Sequence, residues 1–509
     1  MNRRDFIFSG ATALFASGCS SSAKALVHKA FGPHKPKAVV LFYTDDLGYG
    51  DTSTYGQSRV PCPNLDRLAS EGCKFTDAHS PTSICTPSRY SLLTGDYAFR
   101  RPNTHILDGD AKLILPLEGS GKLTLPAMMR KAGYRTGVIG KWHLGLGAGD
   151  APTNWNAHVS PGPKEVGFDH SFIMAATADR VPCVFLRNGD VVGLDPNDPI
   201  EISYDRVEQK GPDEKTGRTN PELLKAWGGT KDHQHDKTII DGISRIGHMS
   251  GGTAALWKDQ DLADTITDDA VRFIKESAGK PIFLYFCTND IHVPRDPHKR
   301  FCGKSGLGIR GDVTLQMDDC LGRIRTALTE SGYDDCLFIF TSDNGPVISD
   351  GYLDNADVDC KGHNPAAPYS GGKYGIMEGG TRLPFIVCWP GHVPAGKQSA
   401  ALMSQVDLSR TLAAIAGVDV PADALPDSES HPAALLGQDA AGRGEIVESG
   451  GGTLALRQGS WKLVMGRNNQ PDRLFDLAND IEEKQDVASQ HPDRVQAMHA
   501  RLQEIINRR

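Results

Sequence analysis

The chain lacks several features that would assign it quickly. Its eleven cysteines form no C-x-x-C pair and no evenly spaced framework, which argues against a cysteine-held metal or a disulfide scaffold. No internal repeat of solenoid period is present. No apolar run beyond Phe15 is long enough to cross a bilayer. Lysine and arginine form no stripe, and a net charge of −8 with both signs dispersed points away from nucleic acid as a partner. What is abundant is glycine (55) and proline (31), which suits long ordered loops. At 509 residues there is room for one large domain and a smaller one.

The N-terminus reads MNRRDFIFSGATALFASGCSSS. Arg3 and Arg4 precede a short apolar run from Phe6 to Phe15, the pattern of a twin-arginine export signal. Ala16-Ser17-Gly18-Cys19 resembles a bacterial lipobox with Cys19 as the lipidated residue; the alternative is a plain signal peptide cleaved between Ala16 and Gly18. Residues 1–36 are therefore read as export signal and linker. The expected location is the bacterial periplasm, or the cell envelope with membrane contact only through the lipid anchor. Export permits disulfides; most of the cysteines nevertheless read as buried thiols, with room for one or two bridges.

Four apolar runs each end in polar chemistry. KAVVLFYTDD ends at Asp45 and Asp46, YRTGVIGKWHLG at Lys141 and His143, KPIFLYFCTNDIHVP at Asp290 and His292, and CLFIFTSDNG at Asp343 and Asn344. Continuous runs of strand length suit a parallel sheet buried on both faces. Helical patterns at 65–71, 125–132, 263–275 and 315–330 separate them, so the alternation predicts an α/β domain with a large, mostly parallel central sheet. In such sheets the site lies beyond the carboxyl ends of the strands, where these polar residues fall. The polar, glycine-rich segment from Ile200 to Thr253 reads as an irregular insertion over the site. The catalytic domain is taken as 37–442. Residues 443–509 are a small C-terminal α+β subdomain with an antiparallel sheet: TLALRQGSWKLVMG alternates like edge strands, and HPDRVQAMHARLQEIINRR is an amphipathic helix.

Asp45, Asp46, Asp343 and Asn344 offer only oxygen, a donor set for Ca²⁺ or Mg²⁺ rather than zinc. Lys141, His143, His292 and Lys373 form a second group. Two lysines, an arginine and a divalent cation would neutralise a compact anion such as a sulfate or phosphate ester, and the histidines suit general acid–base work. In SICTPSRYSLLTG, Cys85 lies at a predicted helix N-terminus beside Arg89, both favourable to negative charge. Pro87 suits the first helical position. Glu378 and Arg382 are expected to form an internal ion pair, and Asp51 to be structural.

C-T-P-S-R at 85–89 with Thr94-Gly95, and GKWHLG at 140–145, resemble the two signatures of the formylglycine-dependent sulfatase family, within the alkaline phosphatase superfamily. TDDLGYGD, DIHVP, FTSDNG and GGKYGIMEGGTRLPF follow in the family's order, and the resemblance runs from about Lys37 to Asp486. It implies an alkaline-phosphatase-like α/β sandwich. It also implies that a formylglycine-generating enzyme oxidises Cys85 to formylglycine (3-oxoalanine), whose hydrate attacks sulfur. Asp45, Asp46, Asp343, Asn344 and the modified Cys85 would bind one Ca²⁺. Arg89 and Lys141 would stabilise the nucleophile. His143 would help expel sulfate by taking a proton, and Lys373 and His292 would hold the sulfate, with His292 the acid for the leaving oxygen.

ATADRVPC and GHNPAAPYSGGK resemble bacterial sulfatases that act on sulfated glycans, so Asp179, Arg180 and His363 are expected to face the sugar. The substrate inferred is a 6-O-sulfated galactose or N-acetylgalactosamine unit. Two alternatives stand beside it: a phosphodiester or phosphonate monoester hydrolase with the same nucleophile, and a lipid-anchored glycan-binding protein without turnover.

Overall fold

The computed structural model describes residues 34–56, 59–204, 215–225, 227–230, 232 and 234–508. Residues 1–33 of the segment read as export signal and linker, Cys19 among them, lie outside the described residues.

The apolar runs become neighbouring strands of one sheet. In chain order its strands are Ala38–Thr44 (β1), Cys73–Phe75 (β2), Arg135–Lys141 (β3), His170–Met174 (β4), Phe185–Arg187 (β5), Asp190–Val191 (β6), Ile282–Cys287 (β7), Cys336–Ser342 (β8), Phe385–Cys388 (β9) and Lys397–Ser399 (β10). Side by side these ten strands run β10-β2-β9-β8-β1-β7-β3-β4-β5-β6. The block β8-β1-β7-β3-β4 is parallel throughout. β1 lies between β7 and β8, with Val40 opposite both Leu284 and Phe338. Every residue of β1, β7 and β8 is buried, as expected of parallel strands covered on both faces. Phe42 packs on Phe286 and Phe340 across this centre, with ring centroids 5.1 and 5.5 Å away.

The helices that matter here are Pro63–Glu71 (α1), Cys85–Thr94 (α2), Leu125–Lys131 (α3), Leu262–Glu276 (α4), Gly308–Glu330 (α5) and Leu408–Ile415 (α6). The helix expected from Leu315 instead begins at Gly308. Gly308 and Gly311 are poor helix formers and hide that start. A tertiary contact supports it: Arg310 donates to Asp51 Oδ2 at 2.7 Å and to the Asp46 carbonyl at 3.3 Å.

A second sheet is antiparallel, its four strands Glu445–Gly450 (β11), Thr453–Gln458 (β12), Trp461–Val464 (β13) and Arg473–Asp476 (β14) lying in that order. The TLALRQ and WKLV segments are thus the inner pair, not edge strands. Their alternation reflects two covered faces. Leu456 and Leu463 pack with Leu502 and Ile505 of the terminal helix, Pro492–Asn507 (α7), while Ala455 and Val464 pack with Ile376 on the other face. The described parts of the 200–253 segment include short strand pairs that its irregular sequence does not announce: Glu201–Ser203 with His248–Ser250, and Ile239–Ile240 with Ile243–Ser244. The ten described cysteines are all free thiols, so no bridge forms among the described residues.

The expected Glu378–Arg382 pair forms at 3.0 Å and belongs to a larger buried assembly. Lys462 on β13 reaches Glu378, Glu448 and Glu483 at 3.0, 3.4 and 3.1 Å. Arg457 joins Glu378 to Asp77, at 3.0 and 3.1 Å. His79 faces Glu448 through Nδ1 and Asp77 through Nε2, both at 2.9 Å. These charges join the small sheet to the loop carrying Lys373.

Candidate active site

Strand ends deliver the polar residues to one place. β1 ends at Thr44, and Asp45 and Asp46 follow; β8 ends at Ser342, and Asp343 and Asn344 follow. Backbone bonds hold the strand ends together: Asp343 N donates to the Thr44 carbonyl at 3.0 Å, and Asp45 N to the carbonyl of Asp290, just past β7, at 3.1 Å. Asp46 turns with a φ of 60° and His143 with 56°, left-handed conformations uncommon outside glycine. Such backbone settings are held by their surroundings and concentrate at functional sites. After Asn344 the chain passes so close to its neighbour that a Cβ on Gly345 would lie 1.9 Å from the Gly379 carbonyl oxygen, which explains the glycine.

Helix α2 begins at Cys85 itself, so Pro87 is its third residue rather than its first. That position still belongs to the first turn, where a missing N–H costs nothing. The helix aims Arg89, fully buried, at Asp343: Nε and Nη2 donate to Oδ2 at 3.0 and 2.8 Å. Lys141, the last residue of β3, donates to Asp45 Oδ2 at 2.6 Å and lies 3.7 Å from Asp343 Oδ2. Lys373 donates to Asp46 Oδ2 at 2.9 Å and to Asp350 Oδ2 at 3.0 Å. Asn344 donates to Asp46 Oδ1 at 2.7 Å. Asp45, Asp46 and Asp343 are therefore matched by Arg89, Lys141 and Lys373.

The two histidines have assigned orientations. His143 Nε2 meets the Leu107 carbonyl at 2.9 Å, so it carries the proton and leaves Nδ1 to accept. Nδ1 is 3.3 Å from Cys85 Sγ. His292 Nδ1 donates to the Val293 carbonyl at 2.6 Å, which leaves Nε2 toward the cluster, 3.9 Å from Asp46 Oδ2. Burial pushes both imidazoles well below their usual range, helped by Lys141 and Arg180 at His143 and by Lys373 and Lys141 at His292. Burial also opposes charge on Lys373, but Asp46 and Asp350 outweigh it and hold its ammonium well above the usual value.

Cys85, Arg89, Lys141, His143, His292, Lys373, Asp45, Asp46, Asp343 and Asn344 thus form one connected cluster. Two of its oxygens, Asp45 Oδ1 and Asn344 Oδ1, are buried without a hydrogen bond. A buried acceptor left unpaired is costly, and an all-oxygen set with free acceptors suits a hard divalent cation. Asp290 is not part of the cluster. Its Oδ2 accepts from Gln316 at 3.1 Å, and burial raises its carboxyl to about 7.

The residues expected at the sugar are placed differently from one another. Asp179 is buried, and its oxygens are taken by Arg180 at 2.8 Å, by His235 at 3.5 Å and by Thr177. Arg180 also lies 3.5 Å from Asp108. His363 does not join the cluster: its Nε2 lies 3.2 Å from Asp51 Oδ1, and Asp51 is the structural partner of Arg310. Sequence reasoning missed Asp350, the second partner of Lys373, and the Leu107 carbonyl that orients His143. Neither lies in a motif, and a backbone carbonyl leaves no mark in composition.

The family profile described as Sulfatase matches residues 37–418. An N-acetylgalactosamine-6-O-sulfatase from Bacteroides thetaiotaomicron is 46% identical over 510 residues, 97% of this chain and 97% of that one. Human arylsulfatase A is 30% identical over 436 residues, 84% of this chain and 74% of that one. A solved structure from the glycosaminoglycan metabolism of Bacteroides thetaiotaomicron superposes with a TM-score of 0.88 at 46% identity, covering 93% of this chain and 100% of that one. The ten-stranded, largely parallel sheet with its separate four-stranded antiparallel sheet is the alkaline-phosphatase-like fold of these enzymes. With that fold, and with most of its length matched by the profile, the chain belongs to the sulfatase family of sulfuric ester hydrolases.

Proposed function

We propose that this enzyme removes the 6-O-sulfate from an N-acetylgalactosamine or galactose unit of a sulfated glycan. One observation carries the chemistry: Cys85 stands at a helix start, 3.3 Å from an accepting imidazole nitrogen and within the field of Lys141 and Lys373, whose ammonium groups donate to the buried Asp45 and Asp46. The substrate is inferred from the bacterial relative, which is 46% identical and named for N-acetylgalactosamine 6-O-sulfate.

The oxygen-only donors and the two unpaired buried oxygens fit Ca²⁺, which we assign to Asp45, Asp46, Asp343, Asn344 and residue 85. When bound, the ion would supply positive charge against the sulfuryl oxygens and the nucleophile. Cys85 is proposed to act after conversion to formylglycine, which presents a hydroxyl where the thiol now sits.

The chain's own residues then have distinct tasks. Lys373 and Lys141 hold the anionic sulfuryl group and offset the charge that repels a nucleophile. Arg89 fixes Asp343 and helps hold residue 85 in a positive field. His143 Nδ1 accepts a proton from an oxygen on residue 85, its tautomer set by the Leu107 carbonyl. His292 Nε2 gives a proton to the leaving sugar oxygen; burial and then the two lysines disfavour its charged form, and a bound sulfate anion would offset them. Arg180, with Asp179 behind it, is proposed to face the sugar, while His363 supports the loop through Asp51. We further propose export to the periplasm or envelope, which fits a polymeric substrate too large to import.

Matched assays with 6-O-sulfated N-acetylgalactosamine and a phosphate diester test this reading. Sulfate release should dominate, and a preference for the diester would reverse it. Mass spectrometry of the Cys85 peptide should show the aldehyde; an unmodified thiol in fully active enzyme contradicts the nucleophile assignment.

A further inference from the structure

Three groups from three segments meet at the end of the sheet opposite the catalytic residues. His34 precedes β1, Asp335 immediately precedes β8, and His392 follows β9, which runs antiparallel to β8. All three therefore come to the amino ends of the parallel strands, whereas Asp45, Lys141 and Asp343 lie at the carboxyl ends. His34 Nε2 is 3.1 Å from Asp335 Oδ2. One ligand atom from each of the three residues lies within 4.8 Å of the other two. The two imidazole planes are 5° from parallel with centroids 5.1 Å apart, and Trp389 covers a face of His392 at 4.0 Å, so His34 lies toward the edge of the His392 ring rather than over its face.

An imidazole–carboxylate hydrogen bond places His34 on Asp335, and stacking on Trp389 places His392 beside them. A tetrahedral ion with ligand atoms at ~2.0–2.1 Å sets those atoms ~3.3 Å apart and the centroids of two ligating imidazoles ~5 Å apart. The 3.1 Å between His34 and Asp335 and the 5.1 Å between the ring centroids are close to these values, and the His392 ligand atom lies within 4.8 Å of the other two. The remaining carboxylate oxygen is already engaged: Asp335 Oδ1 accepts from Trp389 Nε1 at 2.8 Å, and Trp389 stacks on His392 at 4.0 Å between ring centroids. Such outer hydrogen bonds and packing orient the ligands of metal sites.

We propose that His34, Asp335 and His392 form a second cation site, separate from the catalytic cluster, for Zn²⁺ or a similar first-row divalent ion, with water in the fourth position. Imidazole nitrogens select such ions over Ca²⁺ and Mg²⁺, so the two ends of the sheet differ in metal preference. The site ties the segment entering β1 to the loops flanking β8 and β9, at the base of the sheet.

The experiment titrates the full chain, stripped of metal and held in excess Ca²⁺, with Zn²⁺ by calorimetry. The expected result is one Zn²⁺ bound per chain, a rise in Tm on binding, and affinity at least about tenfold weaker in both His34→Ala and His392→Ala. Both variants should keep the wild-type Tm without zinc and the wild-type rate of sulfate release. Absence of zinc binding, or binding that survives both substitutions, overturns the proposal. Because the readout is zinc affinity rather than turnover, this outcome is independent of the assignment of the catalytic cluster.

Discussion

At the residue scale, the chemistry depends on charges that are buried and matched. Lys373 is almost fully buried between Asp46 and Asp350, so it works as a fixed cation rather than a surface lysine. Its replacement by alanine should lower kcat/KM for a sulfate ester by ~10²–10³-fold, the range for losing one preorganised donor to a developing anion. Steady-state kinetics check this on protein verified as folded; Tm should fall as well, because Asp46 keeps its Asn344 hydrogen bond but loses its buried cation. An unaltered kcat/KM would remove Lys373 from the site. The principal cluster was readable because its members sit in short motifs just after apolar runs. His363 was not readable in the same way. Its neighbourhood resembles a sugar-facing loop, but Asp51 lies close to its ring in the folded chain, and Arg310 reaches the same carboxylate from a distant helix.

At the element scale, strands were more legible than their order or their partners. VVLFY and LFIF announce buried strands because both faces are covered, so no alternation interrupts them. Nothing local states that β1 lies between β7 and β8, and the true start of α5 is hidden by Gly308 and Gly311. The ion pair at Glu378 and Arg382 was legible as an i, i+4 pair. Lys462, Glu448 and Glu483 lie on other elements of the chain and gave no sign of their meeting. Lys462 is fully buried among those three carboxylates. Lys462→Met should destabilise the fold by about 3–5 kcal/mol, because it leaves buried carboxylates without their cation. Denaturant unfolding measures this, and a loss below about 1 kcal/mol would show that the assembly does not hold the small sheet.

At the scale of the whole molecule, the same buried assembly couples stability to pH. His79 has no solvent access, and each ring nitrogen faces a carboxylate oxygen at 2.9 Å. Burial opposes its charge, but Glu448, Glu378 and Asp77 prevail and raise it above the usual imidazole range. A raised folded value means that this contribution is complete below about pH 6.5 and is lost as pH climbs through the folded value. Glu378 and Glu448 have the opposite sign. Burial would raise them, but Lys462 with Arg457 at Glu378, and Lys462 with His79 at Glu448, hold them low. Their contribution is complete above about pH 4.3 and is lost as pH falls through their lower folded values. Tm should therefore decline on the alkaline side in the wild type, and His79→Gln should lose that limb; a wild-type Tm flat across it refutes the coupling. The same assembly braces the loop that carries Lys373 beside the proposed centre around residue 85. The most direct measurement is free sulfate released from 6-O-sulfated N-acetylgalactosamine by the wild type and by Cys85→Ala, with folding of both verified by Tm. The account predicts release by the wild type and a loss of ~10³-fold or more in a Cys85→Ala protein that is still folded. Undiminished release by Cys85→Ala would contradict it.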